Sequence, residues 1–138
     1  MNKSEKPGEI SNISPKQMVN VFLNNLPAHA ETIFEKYYRG LWINSLGIIE
    51  SVSISLNYIT FGFHDVNGIY LSVNFFKPLN SEVSQLKIGD KIDLIGKVFN
   101  AGEAIVVLDN CVLMNKNEIY NSHNDKDGTG SLYKENLK

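Results

Sequence analysis

Polar and apolar residues alternate most regularly between Leu86 and Met114, in the stretch LKIGDKIDLIGKVFNAGEAIVVLDNCVLM. After the Gly89-Asp90 turn signal, Ile92, Leu94, Gly96 and Val98 alternate with Asp93, Ile95, Lys97 and Phe99. That is the period of a strand with one buried face. Asn100-Ala101-Gly102-Glu103 predicts a short turn, with glycine at a position that can take positive φ. Ile105 to Met114 then runs nearly continuously apolar, broken only by Asp109-Asn110. A lone hairpin cannot bury its apolar face, so the remainder of the chain must close over it.

Upstream the period is first helical. Ser14 is placed as an N-cap, with Pro15 at the first helical position and Gln17 completing a capping box. Met18, Val19, Phe22 and Leu26 share one face, and Asn24-Asn25 with Pro27 ends the helix. A second helix is predicted over 28–38, with Ile33, Phe34, Tyr37 and Tyr38 apolar and Gly40 closing it. From Trp42 to Val52 the pattern is one long strand, bent at Gly47. Tyr58 to Phe63 places Ile59, Phe61 and Phe63 on one face, and Asn67-Gly68 demands a tight return. The return strand, Ile69 to Phe76, puts Leu71, Val73 and Phe75 together, and Pro78 stops it. Residues 79–86 suit a helical turn or two. The order predicts a mainly β chain: a five-stranded OB-type barrel with N-terminal helices and a short helix between strands three and four. A small SH3-like barrel is the alternative, disfavoured by the length of the 79–87 connection. The expected division is a disordered N-terminus at 1–13, a helical segment at 14–40, the barrel at 41–114 and a disordered tail at 115–138.

Composition narrows the function more than the fold. The 138 residues fit one domain, with 43 % apolar content and net charge −2. Residues 1–13 and 115–138 are each net neutral, so the middle of the chain holds the whole negative balance. Any polyanion site must therefore be local. Cys111 is the single cysteine, which excludes an intrachain disulfide and a cysteine-cluster metal site. Met1 to Val19 has no apolar segment of signal-peptide length, and no run approaches a membrane span, so a cytoplasmic protein without membrane contact is expected. His29, His64 and His123 are far apart in sequence, and no HExxH, GxSxG or phosphate-loop pattern occurs. Cys111 lies in an apolar strand and reads as a buried structural thiol. His123 to Gly128 fails as a calcium loop, with His123 and Lys134 where Asp and Glu belong. The expectation is a non-enzyme without cofactor or metal.

Tyr38-Arg39-Gly40 leads into the strand that contains Gly47, followed by Leu86-Lys87-Ile88-Gly89-Asp90, Gly96-Lys97-Val98 and Leu108-Asp109-Asn110-Cys111. This set resembles the bacterial tRNA-anticodon-binding-like OB family, in which a Tyr-x-Gly-Lys lead-in, a Gly-Asp turn and a terminal aspartate-x-cysteine recur. The resemblance spans residues 28–114 and departs at Leu41, where that family usually has lysine. It implies an OB fold and, by analogy of fold, nucleic-acid binding, although fold does not settle function.

Two surfaces follow from the predicted register. The outward side of the second and third strands carries Tyr58, Thr60, Gly62 and His64, then Tyr70, Ser72, Asn74 and Phe76. Tyr58, Tyr70 and Phe76 are of the kind that stacks on bases, about 1–3 kcal/mol each. Lys77 and Lys97 suit phosphates, Asn74 suits a base edge, and Thr60 is counted with them among the binding residues. The reading is a non-catalytic module for single-stranded DNA or RNA, although tyrosines also pair across exposed strands for structural reasons. The alternative is a protein-interaction adaptor or self-association module. It would use Trp42, Leu46 and Ile48 on the first strand with Ile95 and Phe99 on the fourth, a patch either covered by the helices through Phe22, Ile33 and Phe34 or open to a partner. Nucleic-acid binding should weaken steeply with salt, and apolar association should hardly respond.

Overall fold

The computed structural model describes residues 6–114; residues 1–5 and the predicted tail at 115–138, with its rejected calcium loop, lie outside it. The chain runs α1 (Pro15–Leu23), α2 (Pro27–Tyr37), β1 (Trp42–Ile48), β2 (Ser51–Ile54), β3 (Tyr58–His64), β4 (Tyr70–Phe76), α3 (Ser81–Ser84), β5 (Lys91–Ala101) and β6 (Ile105–Leu113). The sheet order is β1-β5-β6-β4-β3-β2, antiparallel throughout except for β4 against β6.

Six strands replace the five predicted because the long first strand divides. Ile49 bonds in both directions to the loop before β5, its N–H donating to Asp90 O at 2.9 Å and its carbonyl accepting from Gly89 N at 2.9 Å. The next residue, Glu50, donates instead to Gly62 O on β3 at 2.8 Å. The chain thus passes from one sheet edge to the other within two residues. Hydrogen bonding leaves the sheet open between β1 and β2, but the polypeptide itself joins them. Gly47 makes the bend possible: a Cβ there would lie 2.3 Å from Phe63 Cδ2, so the backbone lies directly on that ring. This strand order, with one bent strand serving both edges, is an OB-type fold.

The inward faces are those the alternation predicts. Phe61, Phe63, Leu71, Val73, Leu94, Val106 and Leu108 are all 0 % exposed, and each such side chain contributes about 1.5–3 kcal/mol on burial. Met18 and Val19 of α1 and Phe34 of α2 join the same core. The capping box at α1 is complete: Gln17 N–H donates to Ser14 Oγ at 3.3 Å and Ser14 N–H to Gln17 Oε1 at 2.9 Å. Phe22 and Phe34 hold the helices together at 5.6 Å between ring centroids.

Three local expectations are corrected. Gly102 is not among the glycines with positive φ; β5 runs on to Ala101, and Gly102 N–H closes the turn on Ile105 O at 2.8 Å. Residues 8–11, expected to be disordered, lie against Trp42: Ile10 bridges to it in parallel, Ser11 N–H donates to Trp42 O at 2.7 Å, and Gly8 abuts the indole. The strand Ile105–Leu113 is not uniform. Lys97 pairs with Asp109 and Ile95 with Val112, leaving two residues of β6 opposite one of β5. That is a bulge, with Asn110 in the left-handed region at φ 54°. It shifts the alternation by one residue, so Asp109 faces outward while Cys111 returns to the core.

Candidate functional site

The predicted strand pair assembles in the expected register: Tyr58 opposite Phe76, Thr60 opposite Asn74, Gly62 opposite Ser72 and His64 opposite Tyr70. Six residue steps along β3 make this face about 20 Å long. β2 extends it on one side, with Ser51 opposite Gly62 and Ser53 opposite Thr60. β6 extends it on the other, with Ile105 opposite Tyr70 and Val107 opposite Ser72.

Each end carries aromatic rings. Tyr58 and Phe76 meet edge-on at 5.9 Å between centroids and 87° between planes, with Tyr58 36 % exposed. At the other end Tyr70 meets His64 at 5.2 Å, and its hydroxyl lies 3.0 Å from Ser51 Oγ. The hydroxyl end of Tyr70 lies directly over Gly62, which has no side chain: a Cβ there would fall 1.8 Å from the tyrosine oxygen. His64 Nδ1 is 2.8 Å from Glu50 Oε1, so a carboxylate borders this end.

Between the rings runs a polar row. Thr60 Oγ1 donates to Asn74 Oδ1 at 2.6 Å, and Asn74 Nδ2 donates to Asp109 Oδ1 at 2.7 Å. Lys97 stands opposite Asp109 on β5. The row therefore crosses β3, β4 and β6 and ends facing β5. Thr60 and Asn74 were expected here. Asp109 was not, although its place as a polar break in an apolar run was the available signal. Glu50 and Ser51 gave no such signal, because their approach depends on the β1–β2 bend. Lys77 sits at the Tyr58 end, its Nζ donating to Ser55 O at 3.0 Å.

The second predicted surface is not continuous. Trp42 is only 8 % exposed, with residues 8–11 lying against it, and it drops out of the patch. Leu46, Ile48 and Phe99 are about half exposed, at 50 %, 51 % and 51 %, and Ile95 is half-buried. The register sets four of the five against polar residues: Trp42 against Lys97, Ile95 against Asn44, Leu46 against Asp93 and Ile48 against Lys91. The result is a mixed surface, which the separate patterns of the two strands do not reveal.

No family model matches the chain, and no curated protein does. Among solved structures, it is similar to a Klebsiella pneumoniae subsp. pneumoniae protein described as a "putative nucleic acid-binding lipoprotein", with a TM-score of 0.55 and 22 % identity, over 80 % of this chain and 100 % of that one. A chain of the S. pombe Stn1-Ten1 complex matches more loosely, with a TM-score of 0.42 and 18 % identity over 70 % of this chain and 72 % of its own. The first likeness supports a shared fold, in agreement with the strand order.

A shallow cleft of about 320 Å³ lies beside the row, lined by Arg39, Gly40, Lys97, Val98, Phe99, Asp109 and Asn110. Arg39 is engaged by Glu31, Glu35 and the carbonyl of Phe99, and its guanidinium also stacks over Phe34 at 5.1 Å. Its charge is thus matched within the fold. Among the described residues no group of three or more His, Cys, Asp or Glu side chains is placed to hold a metal, and no helix is long and apolar enough to cross a membrane.

Proposed function

We propose that the chain is a non-catalytic binding module for single-stranded nucleic acid, related in design to the tRNA-anticodon-binding-like OB proteins, and that the outer face of β3 and β4 takes the strand. The observation that carries this reading is the composition of that face. Rings at both ends flank a row of hydrogen-bonding side chains, over a length suited to a few nucleotides. The description of the Klebsiella pneumoniae protein, which shares the fold, is consistent with it.

The face is electrostatically balanced, with Lys77 and Lys97 set against Glu50 and Asp109. Two phosphate contacts give a slope of log K against log salt of about −1.4 for a single strand. The steep dependence expected from sequence therefore becomes a shallow one, with stacking supplying most of the affinity. The adaptor reading loses weight because its patch is interrupted by charge and Trp42 is covered.

Fluorescence anisotropy with labelled single-stranded DNA and RNA tests the proposal, using wild type beside Tyr58→Ala and Tyr70→Ala variants shown to be folded. Each truncation should weaken binding by about 10-fold or more, from the loss of one stacked base. Undetectable binding at low salt, or binding indifferent to both substitutions, would remove this face from consideration.

A further inference from the structure

The polarity of the row is set by chemistry. A carboxylate can only accept, so the atom of Asn74 facing Asp109 must be the amide nitrogen. The amide oxygen then faces Thr60, whose hydroxyl must donate to it. With oxygen and nitrogen directed at opposite neighbouring strands, one lone pair of Oδ1 and one N–H of Nδ2 remain, parallel to each other and directed away from the sheet. The Thr60 hydroxyl proton is committed to Asn74, which leaves oxygen lone pairs for a ligand. Crossing from β3 to β6, the row therefore presents acceptor, acceptor, donor and acceptor: Thr60 Oγ1, Asn74 Oδ1, Asn74 Nδ2 and the Asp109 carboxylate.

We propose that this row is a guanine-reading comb, with Asn74 as the central contact and Asp109 as the positioning residue that holds its orientation. The inference rests on the nucleic-acid reading above. The Watson–Crick edge of guanine offers the complement in order: the N2 amino group to Thr60, N1–H to Asn74 Oδ1 and O6 to Asn74 Nδ2. The other bases match less of it. Uracil or thymine can pair its N3–H and a carbonyl with Asn74, but its second carbonyl then meets the acceptor lone pairs of Thr60. Cytosine can pair N4–H and N3 with Asn74, but sets O2 against the Asp109 carboxylate. Adenine makes the Asn74 pair through N6 and N1 and has no third donor at that edge. The edge-on pair of Tyr58 and Phe76, one row away in the register, supplies aromatic surface next to the comb.

The test uses labelled thymidine oligomers carrying one central guanine, adenine, cytosine, inosine or 7-deazaguanine, titrated with wild type, Asn74→Ala, Asp109→Asn and Thr60→Val. Wild type should prefer guanine over a thymine at the same place by about 10- to 100-fold, the usual worth of a bidentate base contact. Inosine lacks the N2 amino group and should bind more weakly than guanine, and Thr60→Val should abolish that difference. 7-Deazaguanine keeps the whole reading edge and should match guanine. The side-chain amide introduced by Asp109→Asn can donate as well as accept, which frees the Asn74 amide to turn. The guanine preference should then collapse while affinity for plain thymidine oligomers holds or rises, since a negative charge has gone. A merely structural Asp109 would lower both together. Equal wild-type binding to all five probes overturns the comb and leaves the nucleic-acid reading standing. Failure to bind any oligomer overturns both.

Discussion

The contact between Gly62 and Tyr70 allows a quantitative test of how the face is built. In Gly62→Ala the new Cβ would lie 1.8 Å from Tyr70 Oη and 2.6 Å from its Cζ, distances no adjustment of a few tenths of an ångström can relieve. Tyr70 is half-buried at the surface, so the ring can leave without opening the core. Leaving forfeits the hydroxyl contact with Ser51, about 1 kcal/mol, and the edge contact with His64, about 0.5–1.5 kcal/mol. Replacing glycine within a strand returns about 0.5–1 kcal/mol, so the net loss is about 1 kcal/mol. In a Tyr70→Ala background both tyrosine clashes are gone and Ser51 Oγ, 2.5 Å from the new Cβ, can rotate away, so the same substitution should be neutral or slightly stabilising. The cycle over wild type, both single variants and the double variant should therefore show a coupling of about 2 kcal/mol in urea unfolding, well above the 0.3–0.5 kcal/mol within which independent sites usually add. Additive effects would show that Tyr70 does not lie across Gly62, and the description of that end of the face would be wrong. If the face binds nucleic acid, Gly62→Ala should also reproduce the affinity loss of Tyr70→Ala with the tyrosine still present.

Other parts of the fold give equally definite expectations. Gly47→Ala pushes a methyl group to 2.3 Å from a fully buried Phe63, and overpacking of this kind should cost about 1–3 kcal/mol in denaturant unfolding; an unchanged midpoint would contradict the bend. Ser14→Ala removes half of the capping box at α1 and should cost about 1 kcal/mol, read in the same assay. Burial pushes the Cys111 thiol well above its ordinary value, and the Asp109 charge adds to the rise against an opposing backbone hydrogen bond from Asn74. The native thiol therefore stays protonated, whereas the unfolded one ionises above its ordinary pKa of 9.0. Stability from this group is complete below that pH and falls as pH rises past it, by up to about 1.4 kcal/mol per pH unit. That decline should be missing from Cys111→Ala when the two proteins are compared between pH 8 and pH 10, and an equal decline in both would refute it.

Which residues face inward was legible almost throughout, because period-two alternation in Tyr58–His64, Tyr70–Phe76 and Lys91–Val98 reports burial directly. The capping box at Ser14 was legible as a local rule obeyed locally, and so was the presence of a return at Asn67-Gly68. Of that pair only Gly68 has positive φ, so the loop is longer than the two-residue turn this dipeptide usually marks. In the turn, Asp65 Oδ1 accepts from Asn67 N–H at 2.8 Å and Ile69 N–H at 3.0 Å. What could not be read were relations between distant segments. The parallel pairing of residues 70–73 with 105–108 brings Asp109 beside Asn74, and no local pattern encodes that meeting. The bulge at Asn110 hid in an apolar run whose alternation it offsets by one residue. Whether the outward apolar residues of β1 and β5 touch is decided by cross-strand register, which the pattern of neither strand carries.

Trp42 is the single tryptophan of the chain, and the wall of its pocket is made in part by residues 8–11. The intrinsic emission of the protein is thus an optical gauge of a short strap as well as of the barrel. Detachment of that strap alone would wet the indole and move its emission to longer wavelength while circular dichroism still recorded an intact sheet. Unfolding curves followed by tryptophan fluorescence and by backbone signals need not coincide. The gap between them measures how firmly residues 8–11 are tied to the edge of β1.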